Sequence, residues 1–309
     1  EFTRRAFENG KLDLVEAEGL GDLIEAETEN QRALAYARME GGLSRQVEGW
    51  RQRLLDLRAE IEAQLDFSDE GDVGALPDGF RTDLLELHAN IMRVAGSVGQ
   101  GRILRDGFRV VLAGPPNAGK SSLFNALSQS DAAIVSDEPG TTRDLKELPL
   151  DINGQLLILI DSAGLRETES KAEAIGVARA REAMLSADLI LWLQAPDLSI
   201  ERPPGFPELV DEQWRRPPVL TIGTKTDLAP VIGADHTVSV QTGAGLSELL
   251  TLLYETSGAG HFRPGDLLVS RERDRDALID AAIAVSDAEG AIEHSELAAE
   301  HLRIASAAL

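Results

Sequence analysis

Residues 114–121 read Gly114-Pro115-Pro116-Asn117-Ala118-Gly119-Lys120-Ser121, a complete G-x-x-x-x-G-K-S pattern. The run before it, Phe108-Arg109-Val110-Val111-Leu112-Ala113, is apolar and β-branched and predicts a buried strand. The run after it, Ser122 to Leu127, predicts the start of a helix. Strand, glycine loop and helix in that order aim backbone N–H groups at an anion, and the helix dipole adds favourable charge. Lys120 is then placed for the β- and γ-phosphates of a nucleotide. The Ser121 hydroxyl is placed for Mg²⁺, which keeps most of its other ligands as water and phosphate oxygen. The stretch predicts a P-loop nucleotide-binding fold of alternating strands and helices around a mainly parallel sheet.

Outward from this loop the texture of the chain changes twice. Before it, residues 11–65 are rich in Leu, Ala, Glu and Arg. Leu54, Leu57, Ile61 and Leu65 recur there at helical spacing, and Leu84, Leu87, Ile91 and Val94 resume that spacing after the Gly- and acid-rich stretch 66–79. From Phe108 to about Ser257 the pattern is α/β. Leu148–Ile152 and Leu156–Ile160 flank Asn153-Gly154, a hairpin signal because both residues tolerate positive φ. Further strands are expected at Leu189–Leu193, Val219–Gly223 and Thr237–Val240, and helices near 174–186 and 244–255. After Pro264 helical spacing returns with Leu278, Ile279, Ala282 and Val285, and again from Ile292 to Leu309. The expected architecture is an α/β nucleotide-binding domain inserted into an all-α helical domain. Its boundaries are 1–104 (with 1–10 as a link), 105–258 and 259–309. Two domains in mere succession would leave the last helices with little core of their own.

Composition narrows the function classes. The 309 residues hold 53 acidic against 30 basic side chains, a net charge of −23, so the chain repels nucleic acid on average. Contact with RNA then needs a local basic patch or a partner protein. There is no Cys, which excludes disulfides and thiolate metal sites and fits a cytoplasmic location. No apolar run is long enough for a transmembrane helix. The N-terminus, Glu1-Phe2-Thr3-Arg4-Arg5, has no signal-peptide pattern and no Met, so a fragment is expected.

Four further segments give the loop its chemistry. Asp137-Glu138-Pro139-Gly140-Thr141-Thr142-Arg143-Asp144 offers a Thr hydroxyl that completes Mg²⁺ coordination when a γ-phosphate is present. Asp161-Ser162-Ala163-Gly164 closes a very apolar strand; the Asp holds Mg²⁺ through water and the Gly N–H meets the γ-phosphate. Thr224-Lys225-Thr226-Asp227 follows another apolar run. There Asp227, expected to be buried, accepts two hydrogen bonds from N1–H and the exocyclic amine of guanine, and Lys225 packs along the base. Adenine lacks that donor pair. The usual pattern has Asn where Thr224 stands. Ser239-Val240-Gln241 offers backbone toward the guanine oxygen. Asn117, Ala118, Gly119, Lys120, Ser121 and Ser122 complete the expected GTP site.

With these motifs in place the chain resembles the TrmE–Era–EngA group of GTPases, and within it the MnmE (TrmE) family of tRNA modification GTPases. The segments that carry the likeness are Glu1-Phe2-Thr3-Arg4-Arg5-Ala6-Phe7, Lys11 to Glu18, the phosphate loop, Gly140-Thr141-Thr142-Arg143-Asp144 and Asp161 to Glu167. The resemblance implies GTP hydrolysis in modification of the tRNA wobble uridine, with an MnmG-type flavoprotein as partner and a folate one-carbon donor. It also implies K⁺-dependent dimerisation of G domains, the K⁺ supplying the charge of an arginine finger. It assigns K⁺ to Asn117, Ser136, Glu138 and Thr141, Mg²⁺ to Ser121 and Thr142, orientation of the attacking water to Glu173, and a folate contact to Lys11. The family's N-terminal folate-binding domain and C-terminal Cys motif are missing from the sequence.

Three other readings stand beside this one: a ribosome-assembly GTPase of the Era/EngA type, a nucleotide-dependent scaffold that does not hydrolyse, and a P-loop kinase or ATPase. No second phosphate loop and no KH-like G-x-x-G clamp is present, and Asp227 disfavours adenine.

Overall fold

The computed structural model describes residues 1–66, 76–134, 146–161, 183–196, 217–258, 260 and 267–309. Its contacts divide the chain into two compact units. One comprises Glu1–Ala26, Asn30–Arg105 and Phe262–Leu309, and the other comprises Asp106–His261 with the short piece Glu27–Glu29. The fold is a P-loop α/β unit set into an all-α one, the α/β unit interrupting the helical chain.

The helical unit contains α1 (Phe2–Glu8), α2 (Leu14–Glu25), α3 (Glu29–Met39), α4 (Gly42–Asp66), α5 (Phe80–Ala95) and α6 (Val98–Asp106) before the insertion. The last two helices of the chain follow it, labelled after those of the insert below. Helix α2 begins with a full capping box. Asp13 Oδ1 accepts from Glu16 N at 2.8 Å and Glu16 Oε2 accepts from Asp13 N at 2.8 Å, which satisfies two N–H groups that a helix start leaves open. The apolar stripes read from spacing are the buried faces: Leu54, Leu57 and Ile61 of α4 and Leu84, Leu87, Ile91 and Val94 of α5 enter one core. That core is completed by Leu278, Ala282 and Val285 and by Ala298, Leu302 and Ala305 from the C-terminal helices.

A second set of contacts in this unit is ionic. Arg38 of α3 is fully buried and donates to the Leu268 carbonyl and, at 3.3 Å, to Asp274 Oδ2. Glu18 Oε2 lies 3.8 Å from the same guanidinium and 3.0 Å from Arg271 Nε, while Arg271 also donates to Asp22 at 2.9 Å. Arg273 donates to Glu18 as well. Burial lowers the pKa of the Arg38 guanidinium, and Asp274 opposes that shift.

The α/β unit contains β1 (Phe108–Ala113), α7 (Lys120–Ser128), β2 (Lys146–Ile152), β3 (Gln155–Asp161), β4 (Leu189–Gln194), β5 (Val219–Gly223), β6 (His236–Thr237) and α8 (Leu246–Ser257). The C-terminal helices of the helical unit are then α9 (Glu272–Gly290) and α10 (Ser295–Ala308). The sheet order is β2-β3-β1-β4-β5-β6, with β2 antiparallel to β3 and every other pair parallel. Val110, Val111 and Leu112 of β1 are inaccessible to solvent, as expected of a central strand covered on both faces. Asn153 (φ 53) and Gly154 (φ 83) turn the β2–β3 hairpin in the left-handed region, and Ile152 pairs with Gln155.

Two sequence-based expectations shift. The strand expected at Thr237–Val240 is His236–Thr237 only. The chain leaves the sheet at Val238 because Ser239 starts a turn, its N–H donating to Ala244 O at 2.9 Å and its carbonyl accepting from Gly243 N at 2.9 Å. Helix α7 starts at Lys120, ahead of Ser122, since Gly119 (φ 93) already serves as its N-cap. Most of the helix expected at 174–186 lies outside the described residues. Among the described residues no helix is long and apolar enough to cross a membrane.

Candidate nucleotide-binding site

β1, β3, β4, β5 and β6 run parallel, so their C-terminal ends share one edge of the sheet. The phosphate loop leaves β1 on that edge, where β3 flanks it on one side and β4 on the other. This is the crevice in which open α/β sheets bind ligands. Gly114 (φ 142) makes the exit from β1 possible, because a Cβ at that position would stand 2.6 Å from Leu193 O. Asn117 (φ 64) and Gly119 (φ 93) complete the turn. No side chain caps α7 at Gly119, and a helix N-terminus of this kind suits an anion.

Lys120 Nζ donates to Gly114 O and Pro115 O, each at 2.9 Å, and so sits inside the ring that the loop makes. Ser121 Oγ donates to Asp161 Oδ2 at 3.1 Å, joining the start of α7 to the end of β3. Asp161 is buried, and Ser121 is exposed. These two neighbouring oxygen donors suit Mg²⁺, which takes one or two protein oxygens and fills its octahedron with phosphate and water. A pocket of about 550 Å³ is lined by Pro116, Asn117, Gly119, Lys120, Ser121, Ser122 and Lys225.

On the same edge, the loops after β5 and β6 carry the residues that the sequence assigns to the base. Thr224 is buried. Its N–H donates to Gln194 O at 2.7 Å, and its Oγ1 lies 2.7 Å from Ala118 O and 3.0 Å from Gln194 O. Lys225 takes a left-handed conformation (φ 54) and reaches the pocket wall. Thr226 follows it in the loop, half-buried. Asp227 is exposed, which corrects the expectation of a buried carboxylate: it stands on the rim of the loop with Oδ1 accepting from Ser239 Oγ at 2.6 Å. Ser239 beneath it is 1% exposed. Val240 and Gln241 continue the turn, and Gln241 faces solvent.

The structure thus brings Asn117, Gly119, Lys120, Ser121, Ser122 and Lys225 around one pocket, with Ala118 buried beneath the loop. Lys11 is an exposed residue of the helical unit, between α1 and α2. Ser136, Asp137, Glu138, Pro139, Gly140, Thr141, Thr142, Ser162, Ala163, Gly164 and Glu173 lie outside the described residues. Sequence reasoning missed Gln194, which holds Thr224 through its backbone carbonyl and so leaves no side-chain signal. It also missed Asp188 and Asp235, whose carboxylates accept from Arg109 N at 3.0 Å and Thr221 N at 2.7 Å and so fix strand ends. An Asp just before or after a strand is the signal that marks them.

The model of the MnmE helical domain matches residues 14–309, a span that takes in the inserted α/β unit. The chain belongs to the MnmE family. Among curated MnmE relatives, each named tRNA modification GTPase, the one from Rhizobium johnstonii is 45% identical over 93% of this chain and 66% of its own length. That from Methylorubrum populi is 49% identical over 91% of this chain and 62% of its own. That from Azorhizobium caulinodans is 45% identical over the whole chain and 69% of its own. The chain therefore spans roughly two thirds of the MnmE relatives it matches. Among solved structures the chain is similar to the G domain of the Thermotoga maritima FeoB iron transporter. The identity there is 30%, the match covers 48% of this chain and 98% of that one, and the TM-score is 0.35.

Proposed function

We propose that the chain binds GTP with Mg²⁺ along the C-terminal edge of its sheet and hydrolyses it, as the GTPase part of a tRNA-modifying protein. The observation that carries this reading is the placement of three groups on one sheet edge: the Lys120 loop, the Ser121–Asp161 oxygen pair and the Asp227–Ser239 pair. The first holds phosphate, the second suits Mg²⁺, and the third offers a carboxylate to the donor edge of guanine. Membership of the MnmE family supports the same reading.

In this reading water attacks the γ-phosphorus and the bond to the bridging oxygen breaks, giving GDP and phosphate. Lys120 and the N–H groups of the first turn of α7 stabilise the charge on the phosphate oxygens, which is where phosphoryl transfer needs it. Ser121 and Thr142 hold Mg²⁺. Asn117, Ser136, Glu138 and Thr141 take K⁺, and Glu173 orients the water. Residues 105–258 form the catalytic domain, and residues 1–104 and 259–309 the helical domain that hydrolysis moves. The wider assignment is a cytoplasmic homodimer joined through its G domains, acting on tRNA with an MnmG-type flavoprotein, and using a folate donor at which Lys11 contributes.

Turnover of GTP by the chain, measured in KCl and in NaCl, tests the reading. The expected result is hydrolysis that is faster in KCl; equal, slow rates in both salts defeat the K⁺ assignment. Absence of any GTP binding defeats the whole.

A further inference from the structure

We propose that Thr224 is a positioning residue which fastens the base-side loop to the phosphate loop and takes no part in reading the base, so that side-chain selection of guanine falls to Asp227. The inference rests on the guanine-nucleotide reading above and assigns a division of labour within that site.

Thr224 is 2% exposed, and its Oγ1 has two near oxygens, Ala118 O at 2.7 Å and Gln194 O at 3.0 Å. Both are carbonyl oxygens, which only accept. A hydroxyl carries a single proton, and that proton is held between these two. What Oγ1 has left is lone pairs. Guanine presents N7 and O6 as acceptors, and its N1–H and exocyclic amine are the donors that a carboxylate takes. Oγ1 therefore has nothing to give N7 or O6. An amide at this position, as in the usual pattern, carries two N–H groups, one for the loop carbonyl and one to spare.

The fastening itself is well built. Ala118 is inaccessible to solvent, so the bond across to the phosphate loop is shielded from competing water. A Cβ on Gly119 would stand 3.6 Å from Thr224 Oγ1, so the hydroxyl also lies against the residue that caps α7. The N–H of Thr224 is engaged with Gln194 O at 2.7 Å, which fixes the residue from its backbone as well. A single side chain thus sets the distance between the loop that grips phosphate and the loop that grips the base.

The test is equilibrium binding of the Mg²⁺ complexes of GDP, 7-deaza-GDP and IDP to the whole chain. 7-Deaza-GDP lacks the N7 acceptor, and IDP lacks the amine that Asp227 would take. The unaltered chain is expected to bind GDP and 7-deaza-GDP within about twofold of each other, and IDP more weakly. Thr224→Val is expected to weaken all three by one common factor of about tenfold, since it removes a partner from a buried carbonyl. Thr224→Ser, which keeps the hydroxyl, recovers the affinity. The proposal is overturned if the unaltered chain prefers GDP to 7-deaza-GDP by more than about fivefold. It is equally overturned if Thr224→Val changes the ratio of GDP to IDP, or if the folded valine variant binds like the original. Should the valine variant not fold, the 7-deaza comparison and the serine variant still decide. Failure of the site reading looks different: the unaltered chain then binds none of the three, or binds ADP as well as GDP.

Discussion

Ser239 Oγ donates to Asp227 Oδ1 at 2.6 Å, from a buried serine to an exposed aspartate. One carboxylate oxygen is thereby held in place while the group as a whole still faces solvent. The serine is anchored in turn, since its N–H donates to Ala244 O and its own Oγ accepts from Thr242 N at 3.3 Å. The carboxylate is held before any ligand arrives; on the proposed guanine reading, the penalty for a wrong base arises when that base covers it without supplying donors.

Asp227→Asn replaces an acceptor with an amide that both donates and accepts. GDP affinity is expected to fall about 100-fold, roughly 2.7 kcal/mol. Xanthine nucleotides, which carry a carbonyl where guanine has its amine, are expected to gain. Calorimetric titration with the two diphosphates checks the crossover, and parallel losses for both would show that Asp227 does not meet the base.

Ser239→Ala removes the aim and keeps the charge. GDP binding is expected to weaken about three- to tenfold, well short of the aspartate change, because one hydrogen bond to a charged group is lost from a partly exposed site. Stopped-flow dissociation of a fluorescent guanine nucleotide would register this as a faster off-rate.

Gly114→Ala places a methyl group 2.6 Å from Leu193 O on a backbone with φ 142. Either β4 shifts or the loop abandons its path. A loss of about 2–4 kcal/mol in stability is expected, with nucleotide binding abolished. Urea unfolding followed by circular dichroism gives the first quantity and filter binding the second.

Lys120→Ala removes the ammonium that Gly114 O and Pro115 O hold within the loop. Turnover is expected to vanish and GTP affinity to drop at least about tenfold, with a smaller loss for GMP, which has no β- or γ-phosphate to lose contact. The comparison across mono-, di- and triphosphate locates the lysine along the phosphate chain.

Asp274→Ala strips a partner from Arg38, a guanidinium with no exposure to solvent. A cost of about 3 kcal/mol is expected, whereas Arg38→Met removes the buried charge altogether and is milder. In the methionine variant Glu18 keeps Arg271 and Arg273, and Asp274 keeps Arg273. Thermal unfolding of the two variants side by side gives the ordering, and the reverse order would mean that the arginine acts mainly through its bond to Leu268 O.

What the sequence made legible was local. The phosphate loop, the Asn153-Gly154 turn and the stripes Leu54-Leu57-Ile61 and Leu84-Leu87-Ile91 each depend on residues within a few positions of one another. Their meaning therefore survives without the fold. The order of strands in the sheet is not of that kind. Nor is the Arg38 network, whose partner Asp274 lies at the other end of the chain and leaves no spacing to read. The residue types of the loop after β5 do not show its exposure: Asp227 is exposed, and the strand before Ser239 has only two residues, because turn hydrogen bonds around Ser239 outcompete continuation of the ladder. The contributions of Gln194 and Ala118 come from main-chain oxygens, which every residue has.

The helical core joins Leu84 and Ile91 to Leu278, Leu302 and Ala305. Translation delivers the first two long before the other three, and the whole α/β insert emerges between them. A nascent chain on the ribosome therefore carries α4 and α5 with an uncovered apolar face while the intervening domain is made. Such a face is a target for holding chaperones until the last two helices arrive.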